Sequence, residues 1–401
     1  MQLFGNSEQL ILIEKAAIIV VYGDKRMDYV MLKDVCAINM GQSPDSNSYN
    51  DEGQGVPFFQ GNADFGERYP VTRKWCSAPT KMAMPDDILI SVRAPIGAMN
   101  YAKAECCIGR GLAALTPDKS KVSPQFIFWL LKGKNEELNS KGTGSTFKAI
   151  GRKVLEETKV PNIPLEKQME YSAILEKVFA IIQSRNVQLQ KLDELVKARF
   201  VEMFGDMVHN PNGWKKVNLG SVCDVRDGTH DSPKYFPEGY PLVTSKNVTS
   251  GKIDFTDCSL ICKEDYNKIN ERSKVDFGDI LMPMIGTVGK PVIVDVDADF
   301  AIKNVALIKF YEDSKVINIF VRALLQSDYF DRVVISKIRG GTQKFIALSD
   351  IRKLEICLPP MDTQNEFAAF VEQTDKSKVA IQKALGETHL LFDSLMQKYY
   401  S

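Results

Sequence analysis

Pro85-Asp-Asp-Ile-Leu-Ile-Ser-Val-Arg-Ala-Pro-Ile-Gly97 returns later in the chain as Phe277-Gly-Asp-Ile-Leu-Met-Pro-Met-Ile-Gly-Thr-Val-Gly289. The common centre, Asp-Ile-Leu and then further apolar residues before a closing glycine, reads as a buried strand between turn formers. Three more matches keep the same order along the chain. Leu32-Lys-Asp-Val-Cys36 is answered by Leu219-Gly-Ser-Val-Cys223, and Lys141-Gly-Thr-Gly-Ser-Thr-Phe-Lys-Ala-Ile150 by Arg339-Gly-Gly-Thr-Gln-Lys-Phe-Ile-Ala-Leu348. Val160-Pro-Asn-Ile-Pro-Leu-Glu-Lys-Gln168 is answered by Ile356-Cys-Leu-Pro-Pro-Met-Asp-Thr-Gln364. Ordered matches at a nearly constant offset mark a tandem duplication. Cys36 and Cys223 then belong in the core of each copy, as thiols acting as small hydrophobes rather than as metal ligands.

Each copy has two parts. The first mixes short β-branched runs (Asp87 to Val92, Pro291 to Val296) with helical stretches (Pro124 to Leu131, Ile317 to Asp328), punctuated by Gly, Pro and Asn. The second is a long helix. Residues 165–204 hold no Pro or Gly, and Leu175, Val178, Ile182, Leu189, Leu192, Val196 and Met203 recur at heptad spacing, interrupted by Arg185 and Arg199. Gly205 is the expected C-cap. Phe367, Val371, Ile381, Leu385, Phe392, Leu395 and Tyr399 form the same stripe in the second copy, with Thr374, Lys378 and Thr388 in the seam. Stripes this long outrun what a small domain covers, so the helices are expected to pair with each other. The expected organisation is an N-terminal extension at 1–26, α/β (α+β) domains at 27–164 and 207–360, and long helices at 165–206 and 361–401. The fold class is thus a tandem duplication of α/β domains separated by two antiparallel coiled-coil helices, with pseudo-two-fold symmetry.

The 51 basic residues balance the 51 acidic ones, so only local charge can argue for a polyanionic partner. Between Leu138 and Leu155 stand Lys141, Lys148, Arg152 and Lys153 with no acid; between Arg332 and Ser349 stand Arg332, Lys337, Arg339 and Lys344. Glycines and hydroxyls accompany the cations: Gly142, Thr143, Gly144, Ser145 and Thr146, then Gly340, Gly341 and Thr342. That chemistry suits phosphate oxygens. Side chains able to reach base edges are Arg93, Arg110, Arg68 and Asn62 in the first half, and Gln343, Lys246, Asn247 and Arg226 in the second. His230, in the turn-rich Asp227-Gly-Thr-His-Asp-Ser-Pro233, is a further candidate for DNA contact.

Motifs for catalysis are missing. Leu358-Pro-Pro-Met361 lacks the amide and the aromatic residue of an adenine methyltransferase motif, and Gly286-Thr-Val-Gly-Lys290 lacks the spacing of a phosphate-binding loop. Only His209, His230 and His389 could serve as imidazole bases. The apolar stretch Leu10 to Tyr22 is interrupted by Glu14 and Lys15 and is too short to span a bilayer, so a cytoplasmic protein without membrane contact is expected.

Two α/β domains alternating with two long helices resemble the specificity subunit of type I restriction–modification systems. Leu192-Asp-Glu-Leu-Val-Lys-Ala-Arg-Phe-Val-Glu-Met-Phe-Gly-Asp206 is similar to the end of that family's central helix. Ile163-Pro-Leu-Glu-Lys-Gln168 and Leu358-Pro-Pro-Met-Asp-Thr-Gln364 resemble its helix entries. The resemblance covers about residues 27–401; residues 1–26 depart from it. It implies a non-catalytic subunit whose two target-recognition domains read a bipartite sequence in double-stranded DNA. It also implies two methyltransferase subunits and added restriction (translocase–nuclease) subunits as partners. S-adenosylmethionine, ATP and Mg would be bound by those partners, and this chain would hold no cofactor or metal.

Overall fold

The repeated stretch occupies the same place in two equivalent four-stranded antiparallel sheets. The computed structural model describes residues 28–144, 148–248, 251–285, 289–297, 299–337 and 345–400. In the first sheet the order is Cys36–Met40, Leu112–Pro117, Ile88–Ser91, Met99–Tyr101; in the second it is Asp224–Asp227, Val305–Lys309, Ile280–Pro283, Val292–Ile293. Every residue of Ile88–Ser91 and of Ile280–Pro283 is buried, which is why both strands are apolar but for Ser91, whose hydroxyl donates to Pro95 O at 2.6 Å. A carboxylate ties down the turn before each strand: Asp87 accepts from the Met84 N–H at 2.8 Å and Asp279 from the Asp276 N–H at 2.7 Å. The residue before each carboxylate has a positive φ, 70° at Asp86 and 86° at Gly278. Glycine is free to adopt it, and Asp is among the few other residues that tolerate it. Cys36 and Cys223 are 4% and 3% exposed, and burial pushes both thiols up to about 12.

Three expectations are corrected. Pro291 to Val296 contributes only the strand Val292–Ile293. Ile317 to Asp328 is not one helix: Asn318–Leu325 ends before a new helix starts at Asp328. The match of Lys141–Ile150 to Arg339–Leu348 slips by two residues. The Ile150 N–H donates to Val92 O at 2.9 Å, and the equivalent bond runs from the Ile346 N–H to Met284 O at 3.0 Å. Backbone pairing thus equates Ile150 with Ile346, where the match of the two sequences sets Ile150 against Leu348.

The copies diverge in their second sheets. The first has five strands, in the order Tyr49–Asn50, Lys74–Cys76, Val56–Phe59, Cys106–Ile108, Met82–Ala83. The second has three, Ser259–Ile261, Tyr240–Val243 and Ala301–Ile302, beside the helix Lys263–Ser273. Each retains one parallel pair, with Phe58 opposite Cys107 and Leu242 opposite Ala301.

The long helices run Leu165–Phe204 and Met361–Tyr400. Gly205 caps the first at φ 69°, and its N–H donates to Val201 O at 2.8 Å. Asp206 follows; the Val208 N–H, helped by Arg332 and His209, holds its carboxyl down at about 2. The chain divides into two compact units, Met1–Gln183 with Gly386–Ser401, and Ser184–Leu385. Within the first unit, Tyr171 stacks on Tyr399 with ring centroids 3.9 Å apart, and Phe392 lies 5.6 Å from Trp129 and 6.3 Å from Phe179. Within the second, Arg185 donates to Ala384 O, Lys378 pairs with Asp193 at 2.7 Å and Arg199 with Glu366 at 2.8 Å. In both units the partners run in opposite chain directions. Leu175, Val178, Ile182, Val371 and Leu395 are buried; Leu189, Leu192, Val196, Ile381, Leu385 and Phe392 are half-buried.

One buried glutamine docks each helix on its own domain. Gln168 accepts the Ser123 N–H at 2.9 Å and donates to Ile163 O and Lys121 O at 2.8 and 3.3 Å. Gln364 accepts the Ile317 N–H at 3.0 Å and donates to Lys315 O and Pro359 O at 2.9 and 3.0 Å. Ser123 and Ile317 are the N-caps of equivalent helices. Each amide therefore satisfies a helix N-terminal donor that has no partner within its own helix.

Candidate nucleic-acid interface

Backbone hydrogen bonds gather one set of side chains on a rim of the first domain. Val92 donates to Gly111 O at 2.9 Å and accepts from Ile150; Ala94 donates to Lys148 O at 3.0 Å; Arg93 bridges Ala149, which in turn pairs with Thr143. The strand end carrying Arg93, the turn carrying Arg110 and the loop of Lys148 and Thr143 are thus held together, and all four residues are exposed. Gly111 allows the approach, since a Cβ there would stand 2.5 Å from Gln60 O. Gln60 and Ser43, which no pattern in the sequence singled out, join the rim: Gln60 Nε2 donates to Ser43 Oγ at 3.0 Å, and the Arg110 N–H lies 3.4 Å from the same hydroxyl.

The cluster read as acid-free is not free of acids in space. Lys141 pairs with Glu137 at 2.6 Å, Arg152 with Glu156 at 2.7 Å and Lys153 with Glu157 at 3.7 Å. These carboxylates stand just outside the window, one helical turn away from their partners. Lys148 alone of the four makes no ion pair among the described residues, and the same holds for Arg93 and Arg110. Arg68 is not on this rim; it pairs with Glu176 at 3.6 Å and lies 5.4 Å over the Tyr101 ring. Asn62 opens a short 3-10 turn, where its carbonyl accepts the Phe65 N–H at 3.0 Å.

In the second domain the expected contacts are largely engaged internally. Asn247 is 4% exposed: its Oδ1 accepts from the Thr244 N–H and hydroxyl, and its Nδ2 donates to Asp254 O. Burial in that turn removes it as a base reader. Arg226 is held by Asp224 at 2.6 Å, Lys246 by Asp257 at 3.1 Å, and Arg332 by Asp206 at 3.2 Å. His230 has an acceptor at each ring nitrogen, Asn304 Oδ1 and Asp227 Oδ2, both at 2.8 Å. Those acceptors, Asn304 first and then Asp227, raise its pKa above the ordinary value. Asp227 also receives Arg272. Ser145, Arg339, Thr342, Gln343 and Lys344 lie outside the described residues, as does the side chain of Lys337. The place of Arg93 is taken here by Ile285, which bridges Phe345, an exposed ring.

Comparison with known proteins agrees with this duplication. The sequence profile of the type I restriction modification DNA specificity domain matches residues 25–194 and again 211–388. A Methanocaldococcus jannaschii protein named as the MjaX type I restriction enzyme specificity subunit is 42% identical over 160 residues, 40% of this chain and 38% of that one. The MjaIX specificity subunit of the same organism is 23% identical over 93% of this chain and 92% of its own length. A crystal structure of a type I restriction–modification S subunit from M. genitalium superposes with a TM-score of 0.57 at 14% identity. That match covers 95% of this chain and 98% of the other, and is a likeness of fold.

Proposed function

Because the chain belongs to the type I restriction modification DNA specificity family, having matched it twice over most of its length, we propose that it confers sequence specificity on a type I complex. Each of its two domains would read one half of a bipartite target in double-stranded DNA. The observation that carries this reading is the rim of Arg93, Arg110 and Lys148. In a chain with no net charge, three exposed cations without acidic partners among the described residues are held together on strand ends and a glycine-rich loop. Phosphate and base edges are the partners such a rim suits.

The long helices are proposed to pair as an antiparallel coiled coil. Support comes from the opposed order of their contacts in each unit, from Tyr171 with Tyr399 to Arg199 with Glu366. Methyltransferase and restriction subunits are the proposed partners, and S-adenosylmethionine, ATP and Mg are assigned to them. The chain itself is assigned no catalytic step and a place in the cytoplasm, where the DNA is.

The test is binding by the complex assembled with its methyltransferase subunits, titrated over a range of salt. It should prefer one bipartite sequence. Lys148→Ala should lower the log–log salt slope by about 0.9 and leave that sequence unchanged, because a phosphate contact carries no base information. Lys141→Ala and Arg152→Ala should change the slope much less. A complex with no sequence preference would overturn the reading.

A further inference from the structure

The two rims are equivalent in backbone and different in chemistry. Val92–Arg93 and Met284–Ile285 occupy the same place, each receiving the N–H of an isoleucine, Ile150 or Ile346. Likewise the Gly109 N–H donates to Phe59 O at 2.8 Å and the Lys303 N–H to Val243 O at 2.9 Å. The turn carrying Arg110 in the first copy thus corresponds to Lys303-Asn304 in the second. What these positions present differs in kind.

In the first rim Arg93 and Arg110 are exposed and make no ion pair among the described residues. Arg152, Arg226, Arg272, Arg322 and Arg332 hold carboxylates, whereas the first rim brings together two arginines that hold none among the described residues. Both sit beside strands, Arg93 after Ile88–Ser91 and Arg110 between Cys106–Ile108 and Leu112–Pro117. A guanidinium on so rigid a base loses little freedom when it makes two parallel hydrogen bonds. The base edge that accepts both is guanine, through O6 and N7.

Among the described residues of the second rim, Lys303 and Asn304 are already engaged. Lys303 Nζ donates to Ser232 Oγ at 2.6 Å, and Asn304 Oδ1 takes the His230 ring at 2.8 Å. Exposed beside them is Phe345, 52% accessible and bridged to the half-buried Ile285. An apolar pair at the position where the other copy offers a guanidinium cannot satisfy guanine O6. Its match in the major groove is the thymine C5-methyl group.

We propose that the two domains read half-sites of different chemistry: the first recognises guanine through Arg93 and Arg110, and the second recognises a thymine methyl through Phe345 and Ile285. This rests on the reading of the chain as a DNA specificity subunit, and the experiment separates the two. The complex assembled with its methyltransferase subunits is tested against duplexes of its own recognised sequence, the half-sites having been assigned to domains by domain exchange. In one series each guanine of the first half-site is replaced by 7-deazaguanine, which lacks N7. In the other each thymine of the second half-site is replaced by uracil, which lacks only the methyl.

The wild-type complex should lose about tenfold in affinity at one guanine of the first half-site and about threefold to tenfold at one thymine of the second. Arg93→Ala or Arg110→Ala should bind more weakly and no longer distinguish guanine from 7-deazaguanine at that position; Phe345→Ala should no longer distinguish thymine from uracil. The analogue series use unaltered protein, so a variant that fails to fold does not blunt the test. Sequence-selective binding that is indifferent to both analogues, or a first half-site without guanine, overturns this inference while leaving the specificity reading standing. Binding with no sequence selectivity at all overturns both.

Discussion

Gln168 and Gln364 are 3% and 0% exposed, and each makes three hydrogen bonds to backbone that would otherwise be buried without partners. Alanine at either position strands a helix N-terminal N–H and two carbonyls. The expected cost is about 2–3 kcal/mol each, because buried polar groups left unpaired bear their desolvation penalty with no hydrogen bond to offset it. Chemical denaturation measures it, and a loss under ~0.5 kcal/mol at both sites would mean water replaces the amide. His230 makes a different kind of prediction. Its ring is held between Asn304 and Asp227, with Arg272 also on Asp227, and its pKa is raised. A raised pKa means that the protonated ring favours the folded state below the ordinary 6.5, and that this stability is lost as pH rises through the folded-state value. An NMR titration of the His230 ring should therefore give a midpoint above 6.5, and His230→Phe should flatten the unfolding profile over that interval. A midpoint at or below 6.5 would show that the acceptors do not hold the proton.

Among elements, the long helices were the most legible, since heptad spacing without Pro or Gly is a pattern only a long helix satisfies. The breaks in the stripe were legible as breaks and illegible as contacts. Arg185, Arg199 and Lys378 turn out to donate to Ala384, Glu366 and Asp193, polar pairs that fix one register where apolar residues alone would permit sliding. Inserting one heptad into the first helix alone should therefore separate all of these pairs and lower the melting temperature or abolish assembly. Matched heptads in both helices restore the pairs and add about 10 Å to each helix. If the helices set the distance between half-sites, methylation mapping of the matched variant should show a spacer longer by about three base pairs. An active matched variant with an unaltered spacer would assign that distance to something else.

At the scale of the whole molecule, each copy carries its own core, its own glutamine clamp and its own rim. Replacing 27–164 with the corresponding domain of a relative should accordingly change one half-site and leave the other as it was. Methylation mapping of the chimaera reads this directly, and a simultaneous change in both half-sites would show that the domains read DNA as one unit. Their divergence points the same way. The four-stranded sheets are equivalent, whereas the second sheet has five strands in the first copy and three strands with a helix beside them in the second.

The amino-acid sequence by itself determined the duplication, the two long helices with their Gly205 cap, and the buried strands of each copy. All of these rest on periodicity and order, which survive in one dimension. Tertiary structure alone decided which charges are available. Glu137, Glu156 and Glu157 lie outside the window that looked acid-free, yet one helical turn brings them onto Lys141, Arg152 and Lys153. It also decided that Arg93, Arg110 and Lys148, far apart in sequence, share a rim, and that Asn247 is buried in its own turn. Exposure and pairing depend on the path of the backbone through space. A loop residue carries no record of that path in its neighbours along the chain.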